Sequence, residues 1–111
     1  MNVFSALADT TRRDIVVLLA RKGELSMSDL SKNFTMTPPA ISQHLKILKE
    51  AKVIQVKKEA QLRLYSIDQS GLDEMDEWIS EVRNLWTKRF NSLGNYLEKL
   101  KKERGIGKKS R

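Results

Sequence analysis

Apolar residues recur along this chain with two different periods. Val3, Phe4 and Leu7 fall at helical spacing and predict a short first helix. Asp9 offers a side-chain cap to a second helix, roughly 10–22, with Gly23 as its stop. Ile15, Leu18 and Leu19 share one face of it, which Val16 and Val17 widen. Ser26-Met27-Ser28-Asp29 reads as a capping box, and the short helix behind it, ending near Phe34, turns Leu30 and Phe34 inward. Thr35 and Met36 make a turn. Thr37 caps the next helix, and Pro38 takes its first position, where a missing N–H costs nothing. That helix, 38 to about 51, carries Ile41, Leu45 and Leu48 on one face, with His44 and Ile47 flanking.

The period then shortens. Residues 53–58 and 62–67 are rich in β-branched and aromatic side chains, and Glu59-Ala60-Gln61 separates them, so they predict a hairpin. Residues 68–71 are a break. From Leu72 the helical period returns and persists to about Lys102. Leu72, Ile79, Trp86, Leu93 and Leu100 recur every seven residues, with Met75, Val82 and Tyr96 or Leu97 between them, close to a heptad seam. Such a helix is roughly 45 Å long at 1.5 Å per residue, more than a domain this small covers by itself. Gly94 is a point of interruption within it. The expected fold is therefore mainly α with a small β-hairpin, in the order α-α-α-α-β-β-α. Residues 1–103 form one domain, ending in a dimerisation helix over about 72–103. A basic tail, 104–111, is expected to be disordered.

Composition narrows the classes. The 111 residues suit one domain and a modest core, and no apolar run reaches the length of a membrane span. The first residues lack the basic start and long apolar centre of a signal peptide. There is no cysteine, which fits a reducing, cytoplasmic setting and excludes thiolate ligands. The net charge of +7 is weaker testimony for a polyanionic partner than it looks, because seven basic residues and one acidic residue lie from Lys99 on. Distribution matters more. Between Lys46 and Arg63 stand six basic residues against two acidic ones. Between Asp68 and Glu81 stand six acidic residues and no basic one.

A short helix, a tight turn and a second capped helix with an apolar inner face make a helix-turn-helix, and the hairpin behind it makes a wing. With Ile41, Leu45 and Leu48 inward, the outward set is Pro39, Ala40, Ser42, Gln43 and Lys46. Gln43 has the geometry for a bidentate pair with adenine, Ser42 serves a base or a phosphate, and Pro39 and Ala40 suit a thymine methyl. Thr37 at the cap suits a phosphate, and Lys57, Lys58 and Arg63 on the hairpin suit the backbone or the minor groove.

The stretches ALADTTRRDIVVLL, ELSMSDLSKNF and TPPAISQHLKILKEAKVI together resemble the ArsR/SmtB family of winged-helix repressors over roughly residues 3–67. The pattern Trp78, Trp86, Arg89, Phe90, Leu93, Tyr96 and Leu97 resembles the branch that senses no metal. The resemblance implies a homodimer on double-stranded DNA, with first and last helices packed across a two-fold axis and a palindromic operator bound. The matching interface residues are Phe4, Leu7, Met75, Trp78, Ile79, Val82, Trp86 and Phe90. Ser26 and Ser28 stand where metal-sensing members carry cysteines, and the last helix has no histidine, so no metal or cofactor is expected. Ala60 stands where the family often has Gly, Gln61 where it often has a basic residue, and Thr10 where it usually has Pro.

Ser42, Gln43 and Lys46 as a solvated face is the weaker alternative to DNA contact. His44 reads as a packed, hydrogen-bonded structural residue rather than a phosphate ligand. Arg12 and Arg13 read as a surface or intrachain pair. Trp78, Trp86 and Phe90 read as dimer core, with a small-molecule pocket as the alternative. Asp73, Asp76 and Glu77 read as a solvated face rather than a site for a hard cation. Sequence-specific repression competes with an architectural DNA-binding role and with a protein-interaction module that never meets DNA. Catalysis is disfavoured, since the single histidine has no evident nucleophile partner. An effector, small molecule or protein, is left open.

Overall fold

The computed structural model describes residues 1–104. Helix α1 (Val3–Ala6) is a single turn capped by the Asn2 side chain, which accepts from the Ser5 N–H at 2.8 Å. So short a helix leaves its carbonyls without helical partners, and two guanidinium groups supply the donors. Arg12 donates to Ala6 O at 2.6 Å and to Ser5 O at 3.3 Å; Arg13 donates to Leu7 O at 2.8 Å and Ala8 O at 3.1 Å. Both arginines therefore act within the chain, on backbone rather than on each other.

Helix α2 (Thr10–Lys22) starts at the expected Asp9 cap and stops at Gly23, whose φ of 91° few other residues adopt without strain. The residues just after it hold an element the residue pattern does not reveal. Leu25–Ser26 forms a two-residue strand, β1, antiparallel to the wing, with Leu25 opposite Tyr65 and Ser26 opposite Leu64. Two residues show no period, so only the partner strand defines it. Helix α3 (Met27–Asn33) then opens with both hydrogen bonds of the capping box between Ser26 and Asp29. Helix α4 (Pro38–Glu50) opens with Thr37 accepting from the Ala40 N–H at 3.3 Å.

Strands β2 (Ile54–Glu59) and β3 (Leu62–Ile67) form the hairpin, and the sheet order is β1-β3-β2. Glu59 pairs with Leu62, so only Ala60 and Gln61 turn the chain. Ala60 takes a φ of 55°, the left-handed conformation such a turn needs and glycine adopts at lower cost. Helix α5 (Gln69–Glu103) begins three residues before the expected Leu72 and runs unbroken through Gly94. Its start is polar and invisible to an apolar period; the Asp68 carboxylate accepts from the Ser70 N–H there at 3.0 Å. At the other end, the Arg104 N–H donates to Leu100 O. The rest of the expected tail lies outside the described residues.

Ile15, Leu19, Leu30, Ile41, Leu45, Leu48, Val53 and Ile54 are fully buried, joined by Val3 and Ala6. Each large aliphatic side chain contributes about 1.5–3 kcal/mol by leaving water. Leu7, Leu72 and Met75 pack partly against this core. The chain divides into two compact units, residues 1–76 and residues from 77 on. The first holds every element through the opening turns of α5, and the second continues that helix.

Three carboxylates sit on backbone N–H groups at element starts. Backbone N–H groups of Arg12, Ser26 and Ser70 hold Asp9, Asp29 and Asp68, respectively, below the ordinary carboxylate range. A lowered folded-state pKa adds stability that is full above the unfolded value, near 3.8. It is lost as pH falls through the lowered folded value. Urea midpoints measured against pH should therefore show no contribution to pH dependence from these caps between pH 7 and about 5, and a fall below about 4. Asp9→Asn and Asp29→Asn should each flatten that acid limb.

Candidate nucleic-acid interface

The rotation of α4 is set from inside. Ile41, Leu45 and Leu48 are buried, so turning the helix to present another face would expose all three. The cost would be on the order of 5–9 kcal/mol, more than any surface contact returns. Ser42, Gln43 and Lys46 are thereby held exposed on the outer face, with Pro39 and Thr37 exposed at the helix start and Ala40 half-buried beside them.

The wing cations divide between two faces of the sheet. Residues directly opposite in an antiparallel pair share a face. Val56 pairs with Tyr65 and Lys58 with Arg63, which puts Lys58 and Arg63 on the α4 side. Lys57 faces the other way, opposite Leu64, with its ammonium 3.3 Å from Glu59 and 3.4 Å from Glu24. The Glu59 and Glu24 carboxylates raise the Lys57 pKa above the usual lysine value. Lys58 and Arg63 thus share the sheet face turned to α4, and Lys57 does not.

Between α4 and the wing lies a cavity of about 200 Å³, rimmed by Ser42, Lys46, Lys49 and Arg63 over a floor that includes Val56 and Tyr65. Lys49 is absent from the candidates read off the sequence. Its signal was the i, i+4, i+7 stripe it forms with Ser42 and Lys46, which points at the wing only once the wing is placed.

His44 is half-buried behind this face. Its Nδ1 lies 3.3 Å from an Arg12 guanidinium nitrogen and 4.0 Å from the Asp9 carboxylate. The packed, hydrogen-bonded reading of His44 holds, and Arg12 joins the end of α1 to the middle of α4. Among the described residues, no three His, Cys, Asp or Glu side chains gather into a cation site.

On the expected interface residues of α1 and α5, Phe4 is exposed, Leu7 and Met75 are half-buried, and Trp78, Ile79 and Val82 are exposed. Trp86 and Phe90 keep 64% and 63% of their surface. No helix among the described residues is long and apolar enough to cross a membrane.

A helix-turn-helix whose second helix is capped, rotationally fixed and flanked by a two-stranded wing defines a winged-helix DNA-binding protein. Comparison with known proteins narrows the class. Residues 9–56 match the family described as bacterial regulatory protein, arsR family. The transcriptional repressor SdpR of Bacillus subtilis is 38% identical over 83 residues, which cover 75% of this chain and 91% of that protein. The HTH-type transcriptional regulator Rv2034 of Mycobacterium tuberculosis is 33% identical, with 86% of this chain and 85% of that protein covered. A crystallised ArsR family transcriptional regulator superposes with a TM-score of 0.70 at 32% identity, covering 77% of this chain and 87% of its own. This chain belongs to the ArsR family of DNA-binding transcriptional regulators, and these relatives are regulators rather than enzymes.

Proposed function

We propose that the protein is a homodimeric, sequence-specific repressor that acts in the cytoplasm and binds a palindromic operator. Residues 1–103 are its working unit, with α5 from about residue 72 as the dimerisation helix. The observation that carries this reading is the outer face of α4. Ser42, Gln43 and Lys46 are exposed and fixed in rotation by three buried aliphatic residues, and Ser42 and Lys46 line a cavity with Arg63 of the wing. In this reading Gln43 pairs with an adenine edge. Ser42 and Lys46 hold the helix in the major groove, and Thr37, Pro39 and Ala40 approach at its start. Lys58 and Arg63 reach the backbone beside it, and Lys57 joins them only by giving up its two carboxylate partners.

Among the relatives, SdpR is named a transcriptional repressor, which supports repression here. The test is a footprint on fragments that the protein selects from genomic DNA. One protected palindrome is expected, its half-sites one helical turn or a multiple apart. Equal protection of all fragments would favour an architectural role instead. Gln43→Ala should weaken binding to the selected site by about 1–3 kcal/mol and relax the choice at one A·T pair, with the other positions still read.

A further inference from the structure

We propose that the cavity between α4 and the wing seats a single backbone phosphate of the bound DNA. Lys46, Lys49 and Arg63 hold it by charge, with the Ser42 hydroxyl as a fourth donor. The proposal rests on the repressor reading above and adds to it a defined anion site, a residue outside the recognition set and a different task for Ser42.

Three observations converge. The rim of the cavity carries three cations and a hydroxyl, and among the described residues no carboxylate lines it. Among the described residues, none of Lys46, Lys49 and Arg63 makes an ion pair or a side-chain hydrogen bond, whereas Lys57 on the opposite face has two carboxylates. Lys58 stands directly opposite Arg63, a like-charge pair that costs stability in a sheet unless an anion lies against it. Lys58 does not line the cavity, but a negative charge held there at Arg63 lowers the repulsion between these two exposed cations.

The floor strengthens the case. Leu45 and Tyr65 are buried and Val56 is half-buried, so water is thin on one side of the rim. Attraction between charges there exceeds that on an open surface. A cavity of about 200 Å³ has room for a phosphodiester group but not for a base pair. Its two walls, α4 and β3, meet only in the folded protein, so a phosphate bridging Lys49 to Arg63 ties wing to recognition helix. Such a contact sets how α4 lies in the groove without choosing a base. Ser42 then serves the phosphate, which leaves Gln43 to read the base edge.

The test uses the full chain and a DNA duplex that it selects. Affinity is measured over a range of salt for the wild type, Lys49→Gln and Arg63→Gln. Both substituted positions are exposed, so folding is checked by circular dichroism and expected to persist. Each substitution should make the negative slope of log affinity against log salt shallower by about 1 and leave the sequence preference as it was. Next, single phosphates along one half-site are replaced by neutral methylphosphonates. At one position the replacement should weaken the wild type and cost Lys49→Gln and Arg63→Gln nothing further. An unchanged slope in Lys49→Gln, or a penalty that stays additive at every phosphate, overturns the anion site while a preserved sequence preference leaves the repressor reading standing. A wild type that prefers no duplex overturns both.

Discussion

Gly71→Ala is expected to destabilise the protein by about 3 kcal/mol, the upper part of the range for forcing extra volume into a packed site. Gly71 sits in the first turn of α5 against the end of α4. A Cβ built there would lie 2.7 Å from Lys52 O and 2.9 Å from Ala51 O. Both atoms are backbone, so no side chain can swing aside. The backbone is also committed. The Gly71 N–H donates to Lys52 O at 2.8 Å. The Lys52 and Val53 N–H groups return to Lys49 O and Leu48 O, the paired bonds that close a helix through a left-handed residue. Lys52 is that residue, with a φ of 61°, strained for a lysine and held by these bonds. Retreat from the new methyl would break the closure of α4. At about 4–8 °C per kcal/mol, the melting temperature should fall by roughly 12–24 °C. Gly94→Ala is the control. Nothing lies within 4 Å of its added Cβ, and within a helix the change should stabilise by about 0.5–1 kcal/mol. Equal melting temperatures for Gly71→Ala and the wild type would show that the α4–α5 junction yields more readily than its bonds imply.

The double variant Trp86→Glu with Phe90→Glu should give a monomer with folded residues 1–76. Both aromatics lie in the second unit and keep more than 60% of their surface exposed, so they contribute little to the core of the first. In a two-fold dimer they would be buried twice over. At about 1.5–3 kcal/mol per side chain, the four rings supply on the order of 6–12 kcal/mol, the scale of micromolar to nanomolar association. Two carboxylates per protomer in that seam remove the gain and add repulsion. Light scattering should report half the wild-type mass, with unchanged unfolding of the first unit. Operator affinity should drop by about 10²–10⁴, because each recognition helix then binds its half-site without the other. A dimer that survives both glutamates would place the interface elsewhere on the chain.

Much of this is legible in the sequence. Asp9, Ser26 and Thr37 each cap the helix their residue types announce, because capping is local chemistry over three residues. Ile15, Leu19, Ile41, Leu45 and Leu48 are buried where the helical period put them. The hairpin appears with a turn one residue tighter than expected. Other features were out of reach for definable reasons. Strand β1 is two residues long and exists through Tyr65 and Leu64. Lys57 and Lys58 are adjacent and chemically alike. Only the register of β2 on β3 sends one to Glu24 and Glu59 and the other toward α4.

The sequence by itself thus determined the number and kind of the main elements, the inner faces of α2, α3 and α4 and the outward set Ser42, Gln43 and Lys46. Those follow from periodicity and caps, which act within a few residues. Tertiary structure alone decided what the interface could gather around that set. It brought Lys49 and Arg63 to one cavity, turned Lys57 away, and used Arg12 to bind the carbonyls of α1 and reach His44. It also made Gly71 a site where no side chain fits. Each of these depends on the distance between residues far apart in the chain, which the core packing of α2, α4 and the sheet sets and no local pattern encodes.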